Sequence, residues 1–584
     1  MRRLAEQGSR PGSGAALGRT LIGRALIGSA LIGSALIGLR PALAGPAERV
    51  VVTVLATTDM HGYILPYDYF TRQPAARGLA AAATLVAEVR RETPHTLLVD
   101  CGDTIQGSPL AGVYQAARRA GTTDAPEPMM LAMNRVGYDA MAVGNHEFNY
   151  GLEGVAAARA VARFPWLSAN TATDGSFEPF APYIVKTVGG VRIAVIGLTT
   201  PAVPQWEKPE NYRGLSFEDP EEAVRRALAS LQAEKPDATI LAMHSGLGRP
   251  APGAPPGPRD PANENVAAAI AERFQGLAAV IYGHSHQREP GARIGSVLVV
   301  QPKNWAADVA RVDLSFEREP GGRFRFVGAA SRLLPVTPET SADPEVLALA
   351  RPYHEAAEKE LDTPVTRSQA ALSGARGRFE DSALVDAIHA VQLHYAKADV
   401  SFASLFSTSL VVPKGPVTRR ELAALYLYDN ELYAVEGSGR MVRDALENAA
   451  RYFRSCPDPS CEAGPLLDRS VAGYNADSAQ GVEYAIDLRR PAGARVVELR
   501  YRGAPLADSE RLRIAINSYR AAGSAGFSMF RAAPIVYRSG REIRDLLADY
   551  YGESRPLPAA PDGNWRLLPP RAVETLSREG SEWR

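Results

Sequence analysis

The sequence lacks a charge bias: 65 lysines and arginines stand against 65 aspartates and glutamates in 584 residues. A nucleic-acid polymer requires a strongly basic face, so this balance argues against one as the main partner. Mononucleotides stay open, because they need only a local site. Long apolar runs are also missing. The one candidate, Ala25 to Leu39, is a five-residue repeat with glycine at every fifth place, too short and glycine-rich for a good spanning helix. No other internal repeat is found. Cysteine is scarce, at three residues. Cys456 and Cys461 lie five apart around a proline-containing turn, which fits a small loop disulfide in an exported protein. Cys101 is then odd; it ends the apolar run Thr96 to Cys101 and reads as an inert buried thiol.

What is present begins with a distinctive first segment. Arg2, Arg3, Arg10, Arg19 and Arg24 with a single acid, Glu6, precede the apolar repeat, and Ala42-Leu43-Ala44 follows it. Basic start, short apolar stretch and small-residue site read as a secretory signal over 1–44. The expected location is therefore periplasmic or secreted, with an anchor formed by an uncleaved signal as the alternative, and no stable membrane partner. The remainder is ordinary for a globular chain, 46% apolar and 22% charged. Short β-branched or apolar runs at Val50 to Thr57, Thr96 to Cys101, Ile193 to Leu198, Thr239 to Met243 and Ala279 to Tyr282 read as buried strands. Helical patterns at Leu79 to Arg91 and Pro128 to Arg135 alternate with them. This is an α/β layout over 45–337. Pro250 to Pro261 reads as a surface loop. The amphipathic stretch Pro344 to Leu361 predicts a helical linker within 338–364. Residues 365–570 mix helices and strands as an α+β domain, and 571–584 are set apart as a tail.

Five short pieces stand out, each at the end of an apolar strand: Asp59-Met60-His61, Gly102-Asp103, Gly144-Asn145-His146-Glu147, His244 and Gly283-His284-Ser285-His286. They hold five of the nine histidines. Strand ends followed by glycine are where an α/β sheet presents side chains to a crevice. Each piece alone is weak, but five in this arrangement point to a metal centre. Mixed oxygen and nitrogen donors suit Zn, Mn, Co or Fe rather than Ca or Mg alone.

With these motifs the chain resembles the calcineurin-like metallophosphoesterases, and within them the bacterial periplasmic 5′-nucleotidase family. The resemblance implies a four-layer αββα sandwich followed by a smaller α+β C-terminal nucleotidase domain. It implies two divalent ions, one held by Asp59, His61 and His286, the other by Asn145, His244 and His284, with Asp103 bridging. His146 would be catalytic, facing the phosphate rather than a metal, and Glu147 would be scaffold. Two such ions and two aspartates leave the site at about +2, which attracts a phosphate dianion and lowers the pKa of water to about 7.

The likeness is strongest to the 2′,3′-cyclic-nucleotide 2′-phosphodiesterase/3′-nucleotidases. It rests also on Leu425-Tyr426-Leu427-Tyr428-Asp429-Asn430, Tyr474-Asn475-Ala476-Asp477, Asn517-Ser518-Tyr519-Arg520-Ala521 and Asn564-Trp565-Arg566. It implies nucleotide substrates, with Tyr428 and Tyr519 clamping the base and Asn430 beside base or ribose. Stacking contributes about 1–3 kcal/mol per base and tolerates any base. Two departures set the chain apart from the 5′-nucleotidase branch. Asn149 stands where that branch commonly has an aspartate paired with the catalytic histidine. The run Ala522 to Phe527 lacks the acid that branch uses near the ribose. The alternatives are a 5′-nucleotidase or UDP-sugar hydrolase on the same scaffold, a thiosulfohydrolase, which the two tyrosines disfavour, and a binding protein, which would lack metal ligands.

Overall fold

The computed structural model describes residues 48–248, 264–428, 430–456 and 458–581. The signal segment and the loop Pro250 to Pro261 lie outside the described residues. The first half is built on two six-stranded sheets. One orders its strands Phe324–Pro335, Asp308–Arg318, Arg49–Thr57, Thr96–Asp100, Ala140–Ala142, Trp166–Leu167. The other runs Glu289–Ile294, Val297–Gln301, Ala279–Tyr282, Ala238–His244, Val191–Thr199, Tyr183–Val188. In each the central strands are parallel.

Side chains alternate across a strand, and here both faces are apolar. Val52, Val54 and Ala56 meet Ile193, Val195, Ile240 and Ile281 between the sheets. Leu55 points the other way, into a core shared with helices Leu79–Glu92 and Pro128–Val136. Ala194, Ile196 and Leu198 turn outward under helices Pro220–Glu234 and Ala267–Arg273. The result is the four-layer αββα sandwich. Cys101 is buried between the sheets as a free thiol, and burial holds its pKa well above the usual thiol range.

Helix Pro344–Leu361 has the expected limits because Asp343 caps it, accepting from the N–H groups of Glu345 and Val346, and proline sits at its first position. It is more than a connector. Val346, Ala350, Ala357 and Leu361 join the core of the first half, while Arg420 of the second half donates to Glu358 and Asp362 on its last turn. The second half carries a five-stranded sheet ordered Ser478–Gln480, Val400–Ala403, Arg511–Asn517, Glu431–Ser438, Ile535–Glu542, and a separate four-stranded sheet. Residues 571–581, set apart by sequence as tail, form a helix instead, and its Ala572 and Leu576 sit in the core of this half. The Cys456–Cys461 disulfide is formed.

Candidate metal centre and its cleft

Parallel strands in two facing sheets deliver the candidate ligands to one edge. Asp59 and His61 follow Arg49–Thr57, Asp103 follows Thr96–Asp100, and Asn145 and His146 follow Ala140–Ala142. His244 closes Ala238–His244, and His284 and His286 follow Ala279–Tyr282. Asp59, His61, Asp103, His284 and His286 all have positive φ, between 47° and 74°. Such backbone costs on the order of 1–3 kcal/mol per non-glycine residue and persists only where the surroundings impose it. Glycines permit the crowding. A Cβ on Gly144 would lie 2.2 Å from Asp103 Oδ1, and one on Gly283 would lie 1.9 Å from Thr58 Oγ1.

Two ligand groups result. In the first, His61 Nε2 lies 3.0 Å from His286 Nε2, and His286 Nε2 lies 3.3 Å from Asp59 Oδ1. In the second, His244 Nε2 lies 2.9 Å from Asp103 Oδ2 and 3.2 Å from His284 Nδ1. The far nitrogen of each of three imidazoles is already committed. His61 Nδ1 is 2.9 Å from the Gln106 carbonyl, His244 Nδ1 is 2.8 Å from the Cys101 carbonyl, and His284 Nε2 is 2.9 Å from Glu264 Oε1. The near nitrogens face one another, and once deprotonated they would be the electron-pair donors to an ion.

The charges ask for cations. Burial opposes ionisation of Asp59 and Asp103, but the surrounding imidazoles outweigh it and hold both carboxyls below their ordinary range. Burial also opposes charge on His244, yet Asp103 and Asp59 lift its pKa to about 10. His61 goes the other way, pushed down to about 3 by burial and by His286. The most direct sign of fit is Asn145: its amide oxygen is buried and, among the described residues, has no hydrogen-bond partner. A buried unpaired acceptor is costly unless a ligand satisfies it, and a divalent ion between Asn145, His244 and His284 would do so. The residues present therefore fit two divalent ions, one at each ligand group.

Glu147 is spoken for. Its carboxylate accepts from the backbone N–H groups of Asp103, Thr104, Ile105 and Gly144. It braces the Asp103 loop. His146 belongs to neither ligand group but touches both: its backbone N–H donates to Asp103 Oδ1 at 2.8 Å, its ring lies edge-on to His61 at 5.2 Å, and its Nε2 is 3.9 Å from Asp103 Oδ2. Its Nδ1 is 2.5 Å from Asn149 Oδ1.

The centre opens into a cleft of about 750 Å³ whose other wall is the second half of the chain. Tyr428, Asn430 and Tyr519 line it together with Asp103, Asn145, His146, His284 and His286. Asn517 caps the short helix Ser518–Ala521 that carries Tyr519. Arg520 locks that helix in place by donating to both carboxylate oxygens of Asp477 and to the Tyr474 carbonyl. Sequence reasoning missed several residues here. Tyr474 and Phe406 add two rings edge-on to Tyr428, at 5.9 and 5.0 Å. Glu264 holds His284, and Glu207 accepts from Asn149. Tyr474 stood inside a quoted motif, whereas Phe406, Glu207 and Glu264 belong to no motif.

Fold, donor set and cleft together define a two-metal phosphoesterase class. A calcineurin-like phosphoesterase model matches residues 52–288, and a 5′-nucleotidase C-terminal domain model matches residues 361–532. A Haemophilus influenzae 2′,3′-cyclic-nucleotide 2′-phosphodiesterase/3′-nucleotidase is 30% identical, covering 91% of this chain and 89% of that protein. A Bacillus subtilis trifunctional nucleotide phosphoesterase protein is 27% identical over 90% of this chain, which spans only 39% of that longer protein. Among solved structures, one from Staphylococcus aureus described as a 5′-nucleotidase superposes with a TM-score of 0.73 at 26% identity, covering 89% of this chain and 100% of that one. The chain belongs to the calcineurin-like phosphoesterases that carry a 5′-nucleotidase C-terminal domain.

Proposed function

We propose that the protein hydrolyses nucleotide phosphoesters, opening 2′,3′-cyclic nucleotides to 3′-nucleotides and then releasing nucleoside and phosphate. One observation carries this reading: a single cleft is lined on one side by both candidate metal groups and on the other by Tyr428 and Tyr519. A phosphate at the first wall and a base at the second match the two ends of a nucleotide. The ligands are Asp59, His61 and His286 for one ion, Asn145, His244 and His284 for the other, and Asp103 for both. When bound, the ions neutralise phosphate charge and acidify a water molecule.

The protein's own groups do the rest. Asn149 Oδ1 only accepts, so His146 carries a proton on Nδ1 and exchanges one at Nε2, the nitrogen nearer Asp103. Once Nε2 has also taken up a proton, the imidazolium, held through Nδ1–H by Asn149, can give that Nε2 proton to the leaving oxygen. Tyr428 and Tyr519 stack on the base, and Asn430 contacts base or ribose. Export to the periplasm or the medium is part of the proposal; the Cys456–Cys461 disulfide supports it. Among the described residues no helix is long and apolar enough to cross a membrane. A 5′-nucleotidase or UDP-sugar hydrolase is the second reading, favoured by the match of residues 361–532 to the 5′-nucleotidase domain.

Steady-state kinetics on 2′,3′-cyclic AMP, 3′-AMP, 5′-AMP and a UDP-sugar separate the two. The expected result is the highest kcat/KM on the first two substrates. A preference for 5′-AMP would establish the second reading, and inactivity on all four would end both.

A further inference from the structure

The hydrogen bonds around His146 continue beyond Asn149. The Asn149 Nδ2 donates to Glu207 Oε2 at 2.6 Å. Glu207 is pinned at its other oxygen, which accepts from the Lys208 N–H at 2.7 Å and from Asn211 Nδ2 at 2.8 Å. The carboxylate is buried, at 7% exposure. All three of these bonds are donated to it.

The chemistry of an amide makes this chain directional. A side-chain amide has one accepting end and one donating end, and either can be turned toward an imidazole nitrogen. A carboxylate accepts and does not donate, so Glu207 admits only the NH₂ end of Asn149. The carbonyl end is thereby turned to His146 Nδ1, which must carry the proton. With the carboxylate gone the amide is free to rotate, and its NH₂ end would force the opposite tautomer, with the proton on Nε2. Among the described residues no other bond to the Asn149 side chain dictates the choice: Asn211 donates to its backbone oxygen at 3.3 Å, not to its side chain.

We propose that Glu207 is a positioning residue which, by fixing the amide of Asn149, sets the tautomer and ring orientation of His146, with the fixed proton on Nδ1 and the proton exchange of the reaction at Nε2. The inference rests on the catalytic role given to His146 under the proposed function. The arrangement also reaches the second half of the chain. Lys208, next in sequence, extends its ammonium to Glu431 Oε1 at 2.8 Å and to the Gly540 carbonyl at 2.6 Å. Glu431 begins the strand that follows Asn430, so the loop that orients His146 is tied to the wall that would hold the base.

The test uses the full protein loaded with zinc at pH 8, comparing wild type with Glu207→Gln, Asn149→Asp/Glu207→Gln and His146→Ala. Three quantities are read: kcat and KM on 3′-AMP, zinc per chain, and the ¹⁵N shifts of His146, assigned by their loss in His146→Ala. Glu207→Gln should lower kcat roughly 10-fold, the scale for a group that orients a catalytic imidazole. KM should stay within about twofold, and two zinc ions should remain. Its ¹⁵N spectrum should show His146 Nδ1 losing its fixed proton. The double variant puts a carboxylate directly on His146 Nδ1 and an amide donor behind it, so it should recover most of kcat and the Nδ1–H signature. Unchanged ¹⁵N shifts in Glu207→Gln would overturn the inference alone. So would a kcat loss that the double variant fails to restore, since that marks a merely structural carboxylate. Full turnover in His146→Ala would overturn the catalytic role of His146, and the inference with it.

Discussion

The two walls of the cleft are built by opposite means. On the metal side, Asp59, Asp103 and His244 are buried and five candidate ligands sit in left-handed backbone. The far nitrogens of His61, His244 and His284 are each fixed by a hydrogen bond. On the facing wall, Tyr428 is 43% exposed, and Tyr474 and Tyr519 are each 37% exposed. The helix that carries Tyr519 is braced from behind, by Arg520 on Asp477, and Tyr428 is flanked by other rings rather than by polar bonds. The difference follows from what each wall must do. Holding ions demands fixed distances, and strain is the cost of imposing them. Stacking on a flat base demands a face and little else, so solvent-exposed rings on short loops suffice.

The comparison can be broken first at Asp103, the residue with most of the metal wall depending on it. Asp103→Asn removes the charge that, in the proposed reading, both ligand groups share. It should lose metal at one or both positions and lower kcat by about 1000-fold or more, because several kcal/mol of charge stabilisation go with an ion. Elemental analysis beside kinetics checks this; two ions retained with full turnover would show that Asp103 does not bridge. A smaller effect is expected at His146, which belongs to neither ligand group. His146→Ala should keep two ions and lower kcat by roughly 100-fold, the loss expected for one transition-state donor. Loss of metal in that variant would move His146 into the ligand set and blur the contrast within the wall itself.

Much of the metal wall was legible from sequence because an α/β sheet converts order along the chain into place in space. Asp59-Met60-His61, Asn145-His146, His244 and His284-Ser285-His286 each follow a buried parallel strand, and parallel strands end on the same edge. The supports behind that wall were not legible. Glu207 lies 58 residues from Asn149, and Glu264 lies 20 from His284. Each is a single acid in a loop with no periodic pattern around it, and only the tertiary fold brings it to its partner. The same holds for the rings beside Tyr428: Phe406 approaches from a loop after strand Val400–Ala403, where a lone aromatic is indistinguishable from core.

The smallest expected effect tests the second wall. Tyr428 and Tyr519 lie 91 residues apart in the chain and reach the same cleft on separate loops. If their rings stack on the base, removing one takes binding energy and leaves the metal chemistry alone. Tyr428→Ala and Tyr519→Ala should each raise KM for 2′,3′-cyclic AMP and 3′-AMP by about 10-fold for every ~1.4 kcal/mol of stacking lost. Neither should change metal content, since both rings are outside the ligand groups. A substrate without a base, bis-p-nitrophenyl phosphate, should be affected far less, so the informative quantity is the ratio between substrates measured on one preparation. Tyr428 has Phe406 and Tyr474 edge-on beside it, which hold its ring in place, so its loss should cost more than that of Tyr519. Equal kinetics on nucleotides before and after both substitutions would place the base elsewhere. The division of labour between a strained metal wall and an open aromatic wall would then fail at its second half.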